Sequence, residues 1–125
     1  MFEILPNLAT CSLFESCTDE GWVIVDVRDL KDGAGNYVND VAHRIELISN
    51  LMCSGYKVVV RCQAGMSRSN TFATAALVWC RIFPTWNEAW NHTKTYCPRA
   101  MLDQNLYATV KEACLSMHLP KKFFE

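Results

Sequence analysis

Apolar positions along the chain follow two periods. Trp22-Val23-Ile24-Val25-Asp26-Val27, just after Gly21, is a short β-branched run that predicts a largely buried strand. A polar, turn-rich stretch from Arg28 to Asn36 predicts a loop. Val41, Ile45, Ile48 and Met52 then recur on one helical face, with Asn39 or Asp40 as candidate cap and Gly55 just past the end. Lys57 to Arg61 predicts a second buried strand. After a loop from Cys62 to Arg68, the apolar run Phe72 to Phe83 predicts a helix that stops before Pro84. Thr85-x-x-Glu88 reads as a capping box opening the next helix. Leu106, Val110, Ala113 and Met117 predict a last one, with Pro98 in the loop before it. Alternating strands and helices imply an α/β fold with a central, mainly parallel sheet flanked by helices. Such sheets bind ligands beyond the carboxyl ends of their strands.

With 125 residues, half of them apolar, the chain is the size of one domain with its own core, so residues 1–125 are read as a single unit. Twelve basic residues against 13 acidic ones, with no block of like charge, leave no broad surface for nucleic acid. Seven cysteines are an odd number in an apolar chain, which favours reduced thiols over a disulfide framework. No Cys-x-x-Cys pair occurs and His43, His92 and His118 are scattered, so neither a metal nor another cofactor is expected. Met1 to Pro6 lacks the pattern of a signal peptide, and no apolar run approaches membrane-spanning length. A cytoplasmic monomer with no membrane contact is the expectation.

The candidate chemistry lies in Val58-Val59-Val60-Arg61-Cys62-Gln63-Ala64-Gly65-Met66-Ser67-Arg68-Ser69. Spacing alone is weak, because seven cysteines and six arginines yield roughly a third of an accidental Cys-x5-Arg match in a chain of this length. Context makes it specific: a strand before, a glycine inside, a hydroxyl after, and a helix following at once. A loop closing into a helix N-terminus aims backbone N–H groups inward and binds a dianion, here through residues Gln63, Ala64, Gly65, Met66, Ser67 and Arg68. The guanidinium of Arg68 offers a planar fork for two phosphoryl oxygens. The same positive field favours Cys62 as a thiolate nucleophile, and Ser69 is placed to donate to its sulfur. The leaving oxygen needs a proton from a carboxylic acid on a neighbouring loop.

These residues resemble the signature of the dual-specificity phosphatases, within the cysteine-based protein tyrosine phosphatase superfamily. The resemblance is close in the loop and weaker along the rest of the chain. It implies a compact phosphatase fold, a phosphocysteine intermediate, and a phosphorylated protein or peptide as substrate: phosphotyrosine, with phosphoserine or phosphothreonine also open. Phosphoinositides, RNA 5′ phosphates and simple phosphopeptide binding are the alternatives. The family's general acid sits about thirty residues before the nucleophile. That position is Asp32, in Asp32-Gly33-Ala34-Gly35-Asn36, and Asp29 is its rival. Pro98-Arg99 and Asp103-Gln104-Asn105 fall where relatives carry a loop bordering the site. Arg61 departs from the family's usual histidine and either supplies charge to Cys62 or points away. Trp79, Trp86, Trp90, Met101, Met117 and Phe123 are assigned to packing, and Cys80, Cys97 and Cys114 to the core.

Overall fold

A computed structural model describes residues 1–13, 21–64 and 67–125. Gly65 and Met66 of the predicted phosphate loop lie outside the described residues, as does Cys17. Four strands, β1 (Phe2–Leu5), β2 (Leu8–Ser12), β3 (Trp22–Asp26) and β4 (Lys57–Cys62), form one sheet in the order β1-β2-β4-β3. Four helices complete the fold: α1 (Val38–Cys53), α2 (Arg68–Trp79), α3 (Trp86–Tyr96) and α4 (Gln104–Ser116), with a 3-10 turn at Lys121–Phe124. The sheet is mainly parallel as expected: β2 and β3 both run alongside β4, and only the hairpin partner β1 is antiparallel.

The β1–β2 hairpin is absent from the sequence reading. Its second strand, Leu8-Ala9-Thr10-Cys11-Ser12, carries small and polar side chains in place of a bulky β-branched run, yet all five are buried because β2 occupies the interior of the sheet. The burial predicted for β3 is only partly met. It is an edge strand, with Ile24 37% exposed and only Val25 fully covered. Asn39 and Asp40 also fall inside the first turn of α1, whose N-cap is Tyr37 without a side-chain bond. Asp40 there complements the helix dipole. Thr85 does cap α3, accepting from the Glu88 N–H at 3.2 Å.

Val58, Val60 and Cys62 face the helices, while Val59 joins Ala9 and Cys11 beneath Met1 and Trp22 on the opposite face. α2 is buried along its whole length from Ser69 to Val78, packed between the sheet and the other three helices. Phe72 at its centre is fully buried, so truncation to alanine would cost about 3–5 kcal/mol. Two buried polar side chains of α2 pair with other elements: Thr10 Oγ1 donates to Asn70 Oδ1 at 2.9 Å, and Thr74 meets Thr93 at 2.7 Å. Cys11 is disulfide-bonded, which corrects the expectation of reduced thiols at that position. Cys53, Cys80, Cys97 and Cys114 carry free thiols.

Candidate active site

Strand β4 ends on Cys62 and helix α2 opens on Arg68, so the chain turns from sheet to helix within the five intervening residues. Cys62 is only 2% exposed, beside Ser12 of β2 in register. Leu13 N–H donates to Gln63 O at 3.1 Å and holds the outgoing loop against the end of β2. Ser67 O accepts from Thr71 N at 2.9 Å and Thr71 Oγ1 at 2.8 Å, which starts the helix. Ser69 is fully buried, and its hydroxyl has no partner among the described residues.

The loop after β3 comes to this turn from the side. Asn36 pinches it shut, accepting from Lys31 N at 2.8 Å and donating to Lys31 O at 2.7 Å. Gly33 (φ 143°) and Gly35 (φ 100°) supply backbone conformations that L side chains rarely adopt. A Cβ at Gly35 would also meet Lys31 Nζ at 3.1 Å. Three bonds then join the loops. Arg68 Nη1 donates to Arg28 O at 3.0 Å and Leu30 O at 2.8 Å, and Ser67 Oγ donates to Asp32 Oδ1 at 2.7 Å.

Asp29, three residues before Asp32, goes elsewhere. Its carboxylate takes a bidentate fork from Arg44 of α1, at 2.9 and 2.8 Å, and lines a separate pocket with Asp40, His43 and Leu47. The Arg44 hydrogen bond is the main reason its pKa is lowered, with burial opposing and the Arg44 charge assisting. Arg61 also points away from Cys62. Neighbours in a strand face opposite sides, and Arg61 Nη2 sits 2.9 Å from Asp26 Oδ2. Burial pushes the Asp26 carboxyl up, but bonds from the Arg28 N–H and from the Arg61 and Arg28 side chains outweigh it, so its pKa is lowered.

Asp32, Ala64 and Ser67 line a cleft of about 230 Å³ whose opposite wall is Met101, Leu102 and Asp103. Met101 is 60% exposed there, which corrects its assignment to packing. Asp103 caps α4, accepting from Leu106 N–H at 2.9 Å. Arg99 lies over the Phe2 ring at 5.1 Å. The sequence reading missed Arg44 and the Thr10–Asn70 pair. A lone asparagine two residues past Arg68, inside an apolar helix, was the available signal for the latter. Among the described residues no three His, Cys, Asp or Glu side chains converge as a metal site would require, and no helix is long and apolar enough to cross a membrane.

No family model matches the chain, and no curated protein matches it in sequence. Solved structures do. Human DUSP28 superposes with a TM-score of 0.78 over 94% of this chain and 98% of its own, at 15% identity. A leucine-rich repeat and phosphatase domain containing protein from Entamoeba histolytica superposes at 0.75, over 95% of each chain at 11% identity. PTPMT1, crystallised in complex with PI(5)P, superposes at 0.59 over 71% of this chain and 56% of its own, at 17% identity. The fold is that of the dual-specificity phosphatases.

Proposed function

We propose that the protein is a cysteine-dependent phosphatase acting on phosphotyrosine in proteins, with phosphoserine and phosphothreonine as further substrates. The observation that carries this reading is the Ser67–Asp32 hydrogen bond, which brings a carboxyl to the loop between Cys62 and Arg68. In this mechanism the Cys62 thiolate attacks phosphorus in line and forms a phosphocysteine. The N-terminus of α2, the loop N–H groups and Arg68 stabilise charge on the equatorial oxygens. The unpartnered Ser69 hydroxyl gains an acceptor in the thiolate that leaves the phosphocysteine at the end of each turnover.

Asp32 protonates the leaving oxygen and then takes a proton from the attacking water. Asp29 is a poor acid because Arg44 holds it ionised. The apolar Met101–Leu102 wall suits the ring of a phosphotyrosine. A phosphoinositide is the second reading, favoured by the likeness to PTPMT1 with PI(5)P. The carboxylates of Asp32 and Asp103 in the cleft oppose a polyanionic headgroup.

The test is hydrolysis of a small aryl phosphate with chelator present. Wild type is expected to turn over, and Cys62→Ser to lose at least about 10⁴-fold in kcat. Undiminished turnover in Cys62→Ser would end the mechanism. Phosphopeptide binding without any turnover by wild type would replace it with a binding module.

A further inference from the structure

Beyond Val27, whose N–H donates to Arg61 O at 2.9 Å, the β3–β4 ladder ends, and the segment leading to Asp32 needs other donors for its carbonyls. A turn supplies one, with Leu30 N–H donating to Val27 O at 3.1 Å. The carbonyls of Asp26, Arg28 and Leu30 are served by two guanidinium groups from two helices. Arg44 of α1 donates through Nη1 to Asp26 O at 2.6 Å, and its Nη1 and Nη2 also hold the Asp29 carboxylate. Arg68 of α2 donates through Nη1 to Arg28 O and Leu30 O.

The contacts interleave along the chain: Asp26 and Asp29 go to Arg44, Arg28 and Leu30 to Arg68. Both guanidinium groups therefore grip one segment, from Asp26 to Leu30, and a shift of it on one side is felt on the other. Nη1 of Arg68 has two hydrogens, one for each carbonyl, which leaves Nε and Nη2 as the fork for two phosphoryl oxygens. Where that fork points is set by where Arg28 O and Leu30 O stand. Arg44 itself has no part in the cleft. It lines the separate pocket with Asp29, Asp40 and His43.

We propose that Arg44 is a positioning residue for Arg68. By holding Asp26 O and the Asp29 carboxylate it fixes the carbonyls of Arg28 and Leu30, and these aim the Arg68 fork at the phosphoryl group, given the reading above that Arg68 binds that group. An arginine side chain carries several rotatable bonds, so a loose Arg68 would sample many directions and be ordered anew by each substrate. One docked on two fixed carbonyls meets the transition state in place. The bond to Asp26 O matters most, because it fastens the main chain and does not depend on the Asp29 carboxylate. Asp29→Ala therefore leaves the positioning largely intact, and Arg44→Met removes it.

The test is a double-mutant cycle on hydrolysis of a small aryl phosphate, with arginine side-chain NMR of the same proteins. Arg44→Met is expected to lower kcat about tenfold in the wild-type background and less than about twofold in Arg68→Lys, because it acts through Arg68. Arg44→Lys, a milder change, should show the same non-additivity at a smaller loss, and it carries the test if Arg44→Met does not fold. By NMR, rotation about the Arg68 Cζ–Nη bonds should be slow enough in wild type to separate the Nη proton resonances, and fast in the Arg44 variant, where they merge. That readout needs no turnover: a wild type that hydrolyses nothing but shows the NMR difference sinks the phosphatase reading and supports Arg44 as the group that orients Arg68. A loss that multiplies in full with Arg68→Lys, or Arg68 resonances unchanged by the Arg44 substitution, overturns the proposal.

Discussion

Asp29 and Asp32 share one loop, yet the first faces α1 and the second faces the turn between β4 and α2. Asp29 is held in a two-pronged ion pair by Arg44, and Asp32 accepts a single hydrogen bond from Ser67 in an open cleft. A carboxylate gripped by a guanidinium is kept ionised and cannot give up a proton it does not hold. A carboxyl bonded to a hydroxyl is under no such grip, because the hydroxyl carries no charge. Proximity in sequence therefore says little about chemical role here. What separates the two is a partner on another element, Arg44 from α1 or Ser67 from the loop before α2.

The largest test of this contrast is a pair of alanine variants. Asp32→Ala is expected to lower kcat on an aryl phosphate about 10²–10⁴-fold, and Asp29→Ala less than about threefold. The reverse order would exchange the two roles. Arg68→Lys comes next, with a loss of about 10²–10³-fold, since lysine reproduces neither the fork nor the reach to the carbonyls of Arg28 and Leu30. Ser67→Ala should lower kcat roughly tenfold with KM little changed, because it frees Asp32 without removing it.

The smallest effect is on stability. Asp29 has a lowered pKa, so its pairing with Arg44 stabilises the fold above the ordinary carboxylate value of about 3.9, and that contribution is lost as pH falls through the lower folded value. Its side chain is 62% exposed, which limits the contribution to less than about 1 kcal/mol. Urea denaturation should show Asp29→Asn slightly less stable than wild type at pH 6, with the gap closing below about pH 4.

The strand–loop–helix setting of the candidate site was legible in the sequence where one continuous stretch encodes it. Val58 to Ser69 spells strand, loop and helix in order, and the structure ends β4 on Cys62 and opens α2 on Arg68. It was illegible where the outcome depends on distant partners. Nothing in residues 28–36 announces that Arg44 will claim Asp29, and nothing near Arg61 announces Asp26. The hairpin at the N-terminus escaped for a different reason. Ala9, Thr10 and Cys11 are small enough to be buried between two neighbouring strands, and their sequence has no strong β signature. The tight interior position selects small side chains, and those carry the weakest pattern.

The strand order has a consequence for how the molecule is made. β2 pairs with β4 from Leu8–Val58 to Ser12–Cys62, partners fifty residues apart in the chain. A ribosome adding about 5–20 residues per second needs roughly 3–10 s to cover that distance, during which β2 has no parallel neighbour to pair with. The surroundings of Cys62 thus wait for β4, joining a strand synthesised at the beginning to one made some fifty residues later.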